Sequence, residues 1–153
     1  MDQELSFSEE LSKFVLAYYR SVTYKIETET KKYYSPNARI WRQNMNIEGE
    51  PLSQHTEVSI FFPILEKEDK LAIISFHGLS LPHGFNLFVE GIICIKNVFQ
   101  KFEQIFTIYE IQKRYFIYSD NLSLSPIPQK DKQNFDEILK NLKLQVPFKS
   151  THY

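Results

Sequence analysis

"VFQKFEQIFTIYEIQKRYFIYSD", residues 98–120, alternates large apolar and polar side chains, breaks at a charged stretch, and alternates again. Period-two alternation sends successive side chains to opposite faces of a strand, so the stretch predicts a β-hairpin. Phe102, Gln104, Phe106 and Ile108 share one face, while Glu103, Ile105, Thr107, Tyr109 and Ile111 share the other. Both faces are too apolar to lie against water, and a strand of that kind is normally buried on both sides. A core on one face and a partner on the other is the expectation.

Working outward, "LAIISFHGLSL" (71–81), "FNLFVEGIICI" (85–95), "KFEQIFTIYEI" (101–111) and "RYFIYSDNLSL" (114–124) read as four consecutive strands. Pro82-His83-Gly84, Lys96-Asn97 and Gln112-Lys113 between them suit turns joining antiparallel neighbours. Upstream the period changes. Leu11, Phe14, Val15, Tyr18, Tyr19 and Val22 recur at helical spacing, behind a Ser6–Glu9 pair that resembles a capping box. A shorter helix is predicted over 26–34, ending before Ser35-Pro36. "ARIWRQ" (38–43) reads as a strand, followed by a turn at Asn46–Gly49. Ser53 caps a predicted third helix bearing Val58, Phe61 and Leu65, which Pro63 kinks or ends. Helices first and strands after is the order of an α+β domain with helices on one face of an antiparallel sheet.

Residues 1–124 read as that domain. Residues 125–133, "SPIPQKDKQ", are a linker by composition. Phe135, Ile138, Leu139 and Leu142 then define a short amphipathic helix in the tail, 125–153, expected to dock on the chain's own body.

Composition narrows the function. The 153 residues carry a net charge of -1, with 24% charged residues scattered rather than clustered, which argues against direct nucleic-acid binding. Cys94 is the single cysteine, so no intrachain disulfide forms, and a reducing, intracellular compartment is expected. No apolar run approaches the roughly 18 residues of a membrane span. Aromatic residues reach 15%, and they need a place to pack.

Candidates for chemistry are few. His77 is the best acid–base candidate, with Asp120 and Glu90 behind it. His77 and His83 lack a second ligand pair, so neither metal nor cofactor is expected. Cys94 sits among aliphatics and reads as a core residue, and no glycine-rich loop exists to cradle phosphate. No catalytic residue is assigned, and an interaction module is preferred to an enzyme.

Short motifs in order carry a family resemblance: "FVLAYY" (14–19), "YYSPNARIWR" (33–42), "VEG" (89–91), "FEQIFTI" (102–108) and "YFIYSDNL" (115–122). Together they resemble the nuclear transport factor two (NTF2) family. The resemblance implies a cone: three N-terminal helices packed on a strongly bent antiparallel sheet, whose other face meets a second copy or a related subunit. It implies a dimer interface at Glu103, Ile105, Thr107, Tyr109, Tyr118 and Asp120. It also implies that Phe7, with Leu11, contacts nucleoporin Phe-Gly repeats, unless Phe7 is a staple residue packing onto Leu11.

Acids by which the family's import factor binds Ran are replaced here by Arg42, Lys96 and Val98, which argues against Ran as a partner. Ser123 stands where related subunits carry an arginine, so a cross-dimer ion pair needs an acid from this chain, with Asp120 the candidate. The implied role is a non-enzymatic subunit of the messenger-RNA export system, found in the nucleus, at the nuclear pore and in the cytoplasm. A diverged Ran importer and a stress-granule-type scaffold are the alternatives within the family. From another class, the resemblance allows a small-molecule isomerase or dehydratase using His77 inside the cone.

Overall fold

The computed structural model describes residues 7–127. Ser6 of the capping box and the tail helix of Phe135, Ile138, Leu139 and Leu142 lie outside the described residues. Two α-helices, α1 (Phe7–Thr23) and α2 (Glu27–Lys32), precede six strands: β1 (Tyr34–Arg42), β2 (Ile47–Pro51), β3 (Lys70–Leu81), β4 (Gly84–Ile95), β5 (Val98–Ile111) and β6 (Arg114–Pro126). The strands form one sheet in the order β2-β1-β6-β5-β4-β3.

Helix α1 buries the stripe its spacing predicts: Leu11, Phe14, Val15, Tyr18, Tyr19 and Val22. Glu9 and Glu10 in its first turn and Arg20 in its last complement the helix dipole. Its end is a Schellman motif. Lys25 is left-handed (φ 58), its N–H donates to Val22 O, and Ile26 N–H donates to Ser21 O.

The meander β3–β6 follows the sequence reading closely. Two of its connections are two-residue turns with both central residues at positive φ: Lys96 (51) and Asn97 (66), then Gln112 (52) and Lys113 (66). That geometry matches the right-handed strand twist. Phe102, Gln104, Phe106 and Ile108 all point into the core, beneath α1.

Three expectations need correction. The sheet is mixed, because β1 runs parallel to β6 while every other neighbouring pair is antiparallel. Parallel partners cannot be joined by a tight turn, and here the chain from β2 to β5 is the connection. The turn expected at Asn46–Gly49 is displaced: a 3₁₀ turn at Gln43–Met45 ends on left-handed Asn46 (φ 56), and the chain returns as β2.

The third helix does not form. Residues 52–65 make two 3₁₀ turns, Leu52–Gln54 and Val58–Ile60, and irregular chain. Pro63 has no N–H to close a helical turn. The carbonyls of Ile60 and Phe61, which a helix would bond to its own N–H groups, accept from the Arg42 guanidinium instead. The apolar positions nevertheless serve as read, since Ile60, Phe61, Phe62 and Leu65 are buried.

Candidate functional site

The inside of the cone is occupied by a polar network. Arg42, at the end of β1, and Asp120, in β6, are buried to 1% and 0% exposure and paired through both carboxylate oxygens. Arg42 Nη2 lies 2.8 Å from Oδ2 and Nη1 lies 3.1 Å from Oδ1. The remaining guanidinium donors reach the carbonyls of Ile60 (2.7 Å), Phe61 (3.1 Å), Trp41 (3.0 Å) and Asp120 itself (3.0 Å).

Asp120 also accepts from Tyr34 Oη (2.5 Å) and Gln104 Nε2 (2.8 Å). Tyr19 Oη donates to Gln104 Oε1 (2.7 Å), and the hydroxyls of Tyr18 and Tyr34 lie 2.5 Å apart. Burial and then the Asp120 carboxylate push the Tyr18 and Tyr34 hydroxyls well above the ordinary tyrosine range. Tyr19 is raised by burial and by Tyr18 and Asp120. Burial alone would lower Arg42, but the Asp120 charge beside it holds the guanidinium above its usual value. Buried charges persist only when paired and hydrogen-bonded, and this pair is both.

Asp120 therefore does not share a face with the rest of the expected interface set. The reason is a β-bulge: Thr107 is opposite Ser119, but Ile108 is opposite Ile117, so Tyr118 is the extra residue. Simple alternation puts Tyr118 and Asp120 on one face, whereas the bulge leaves Tyr118 half-buried on the outer face and turns Asp120 inward. Its carboxylate is committed within the protomer. Arg42 is equally enclosed.

The outer face carries the other predicted residues together. Glu103 and Ile105 are exposed, and Thr107, Tyr109 and Tyr118 half-buried, with Ile105 at 40%. Tyr109 and Tyr118 rings meet edge-on at 5.1 Å, and Phe88 lies opposite Ile105 on β4. Thr107 donates its hydroxyl to Asn86 Oδ1 (3.0 Å). Lys101 lies between Glu90 (3.6 Å) and Glu103 (3.5 Å) at the margin of this patch and offsets part of their charge.

His77 is not in the cone. It sits on β3, an edge strand, exposed on the outer face and stacked on Phe88 at 4.9 Å. The β-bulge at Ile74 sets that phase. Phe7 is 40% exposed, with its ring edge-on to Phe85 at 5.7 Å, while Leu11 is buried against Gly78. The two do not form a shared exposed pair.

A different aromatic groove, unforeseen from the sequence, lies between α1, α2 and the β5–β6 turn. Phe14, Tyr33 and Tyr115 line it together with Glu10, Lys13, Glu29, Lys32 and Arg114. Phe14 and Tyr33 meet edge-on at 5.7 Å. Tyr115 Oη donates to Glu10 Oε2 (2.6 Å), and burial followed by that bond pushes its ionisation to higher pH. The signal was the doubled aromatic of "KKYYSP", of which Tyr34 goes inward and Tyr33 to the groove.

No protein-family model matches the sequence. No curated protein matches it either. Solved structures do. The association domain of C. elegans CaMKII superposes with a TM-score of 0.63 at 6% identity, over 76% of this chain and 94% of that one. A candidate ketosteroid isomerase from Shewanella frigidimarina gives 0.62 at 10% identity, over 74% and 94%. An NTF2-like protein of unknown function from Shewanella baltica gives 0.53 at 15% identity, over 81% and 100%. The chain has an NTF2-like, cystatin-like α+β fold, and identities this low speak to fold alone.

Proposed function

We propose that the chain is a non-enzymatic interaction module that pairs with a second domain of the same fold through the outer face of its sheet. One observation carries this reading. The acid inside the cone, Asp120, has both oxygens engaged by Arg42, Tyr34 and Gln104, while Ile105, Tyr109, Tyr118 and Phe88 present apolar surface outside. A general acid or base needs a free site on a reachable atom, which this carboxylate lacks. An apolar patch on an outer sheet face marks a protein-binding surface.

The finer reading is a transport-type subunit, with the ordered motifs from "FVLAYY" to "YFIYSDNL" as its support. On that reading short phenylalanine-bearing peptides, nucleoporin repeats among them, are the second partner, and the chain works between nucleus, pore and cytoplasm. The groove of Phe14, Tyr33 and Tyr115 suits a phenylalanine ring better than the Phe7–Leu11 pair does, because it brings three aromatic rings together. Retention on immobilised Phe-Gly repeats tests this directly. Tyr33→Ala is expected to lower retention and Phe7→Ala to leave it. The reverse result returns the site to Phe7, and no retention by the unaltered chain removes the repeat-binding role.

A further inference from the structure

The two edges of the sheet are built differently. β2 has five residues, carries Glu48 and Glu50 and ends in Pro51, all features that discourage another strand from pairing. β3 has twelve, and from Leu71 to Leu81 it contains no Lys, Arg, Asp, Glu or Pro. Among the described residues it has a strand partner on one side only. Along such an edge every second residue directs its N–H and C=O away from the sheet. Beside that row runs a groove of about 710 Å³ whose second wall is the first turns of α1. Six consecutive residues, 73–78, line it with Phe7, Ser8, Leu11 and Ser12. Helix and strand close together at Gly78, where a Cβ would meet Leu11 at 2.9 Å and Phe7 at 3.0 Å.

The geometry points to this groove as a strand-addition site: an extended, uncharged segment of another protein adds to β3 as a seventh strand, with alternate apolar side chains set against Phe7 and Phe76. Backbone bonds supply affinity and the side-chain contacts select sequence. The occupant is uncharged because no lining residue carries a carboxylate, ammonium or guanidinium group. A second copy paired edge to edge fits less well, since a two-strand contact of this length covers less than the ~1,200 Å² of a stable dimer. This edge adjoins the outer face at His77, which stacks on Phe88, but pairing is tested by Ile105→Glu and strand addition by Phe7→Ala, so the two readings fail independently.

The test uses the full chain and two acetylated, amidated peptides of sequence Ser-Val-Ser-Val-Ser-Val, free of Phe-Gly, one plain and one N-methylated on alternate backbone amides. Hydrogen exchange resolved by residue is the readout. The plain peptide is expected to slow exchange of alternate amides between Ser75 and Leu81 about tenfold or more. The methylated peptide, up to three bonds poorer, is expected to bind about tenfold to a hundredfold more weakly. Phe7→Ala weakens the plain peptide, while sedimentation of that variant stays unaltered. Equal binding of both peptides overturns the proposal. So does protection of those same outward-facing alternate amides in the peptide-free chain, which assigns the edge to the chain's own tail if it is independent of concentration and to a second copy if it is not.

Discussion

Arg42 and Asp120 hold the two halves of the chain together, one at the end of β1 and the other in β6, at 2.8 Å and 78 residues apart in sequence. Asp120→Asn leaves a guanidinium enclosed without its counter-charge. A loss of about 3–5 kcal/mol is expected, read as a lower urea midpoint. Because the two side chains act on each other, Arg42→Met with Asp120→Asn should cost less than the sum of the single changes. Strict additivity in that cycle would show that the pair is energetically inert.

The enclosed tyrosines set a pH limit. Tyr18, Tyr19 and Tyr34 are raised in the folded chain, so stability is intact below the unfolded tyrosine value of about 10 and lost as pH climbs past it. In the folded state the three stay protonated while unfolded chains ionise, and the loss approaches about 4 kcal/mol per pH unit for three groups. Ultraviolet titration should show at least these three of the nine tyrosines silent until the chain unfolds. Smooth ionisation of all nine in a folded chain would contradict this burial.

Ile105→Glu tests the outer face. The position is half open in the protomer, so folding stability should change by no more than about 0.5 kcal/mol. In an assembly the glutamate is buried without a partner, and sedimentation velocity should show the pair dissociating. An unchanged sedimentation coefficient at micromolar concentration would move the interface elsewhere.

Gly91 has no room for a methyl group. A Cβ there would lie 2.4 Å from the carbonyl oxygen of Ala72 and 2.5 Å from the Phe102 ring. Backbone cannot yield as a side chain can, so Gly91→Ala is expected to cost about 1–3 kcal/mol or more by thermal melting. A melting temperature equal to the parent's would mean that β3 and β4 slide apart freely.

The meander was legible because alternation, turn residues and length agreed over four strands. The outer-face set Glu103, Ile105, Thr107 and Tyr109 was legible for the same reason. Asp120 was not, because one bulge residue at Tyr118 reverses the phase without any mark in composition. Residues 52–65 misled for a different cause: their apolar spacing is helical and their side chains are buried, but their carbonyls serve Arg42 rather than a helix. Arg42 itself alternates inward with Ala38 and Ile40, and Gln104 lies between Phe102 and Phe106. A polar residue in an apolar phase was the visible trace of the network.

The turns at Lys96-Asn97 and Gln112-Lys113 bear on how quickly the chain organises itself. Each closes a hairpin over two residues, so β4, β5 and β6 find one another with little loop entropy to overcome. β1 must be recruited across most of the chain, and such distant pairings are slow to nucleate. The meander is thus expected to assemble first and the Arg42–Asp120 clasp last, with Asp120→Asn accelerating unfolding while leaving the refolding rate nearly unchanged. Gln112 and Lys113 hold a backbone shape that glycine and asparagine adopt at less cost. An Asn-Gly pair at 112–113 should therefore hasten the step that the rest of the architecture waits for.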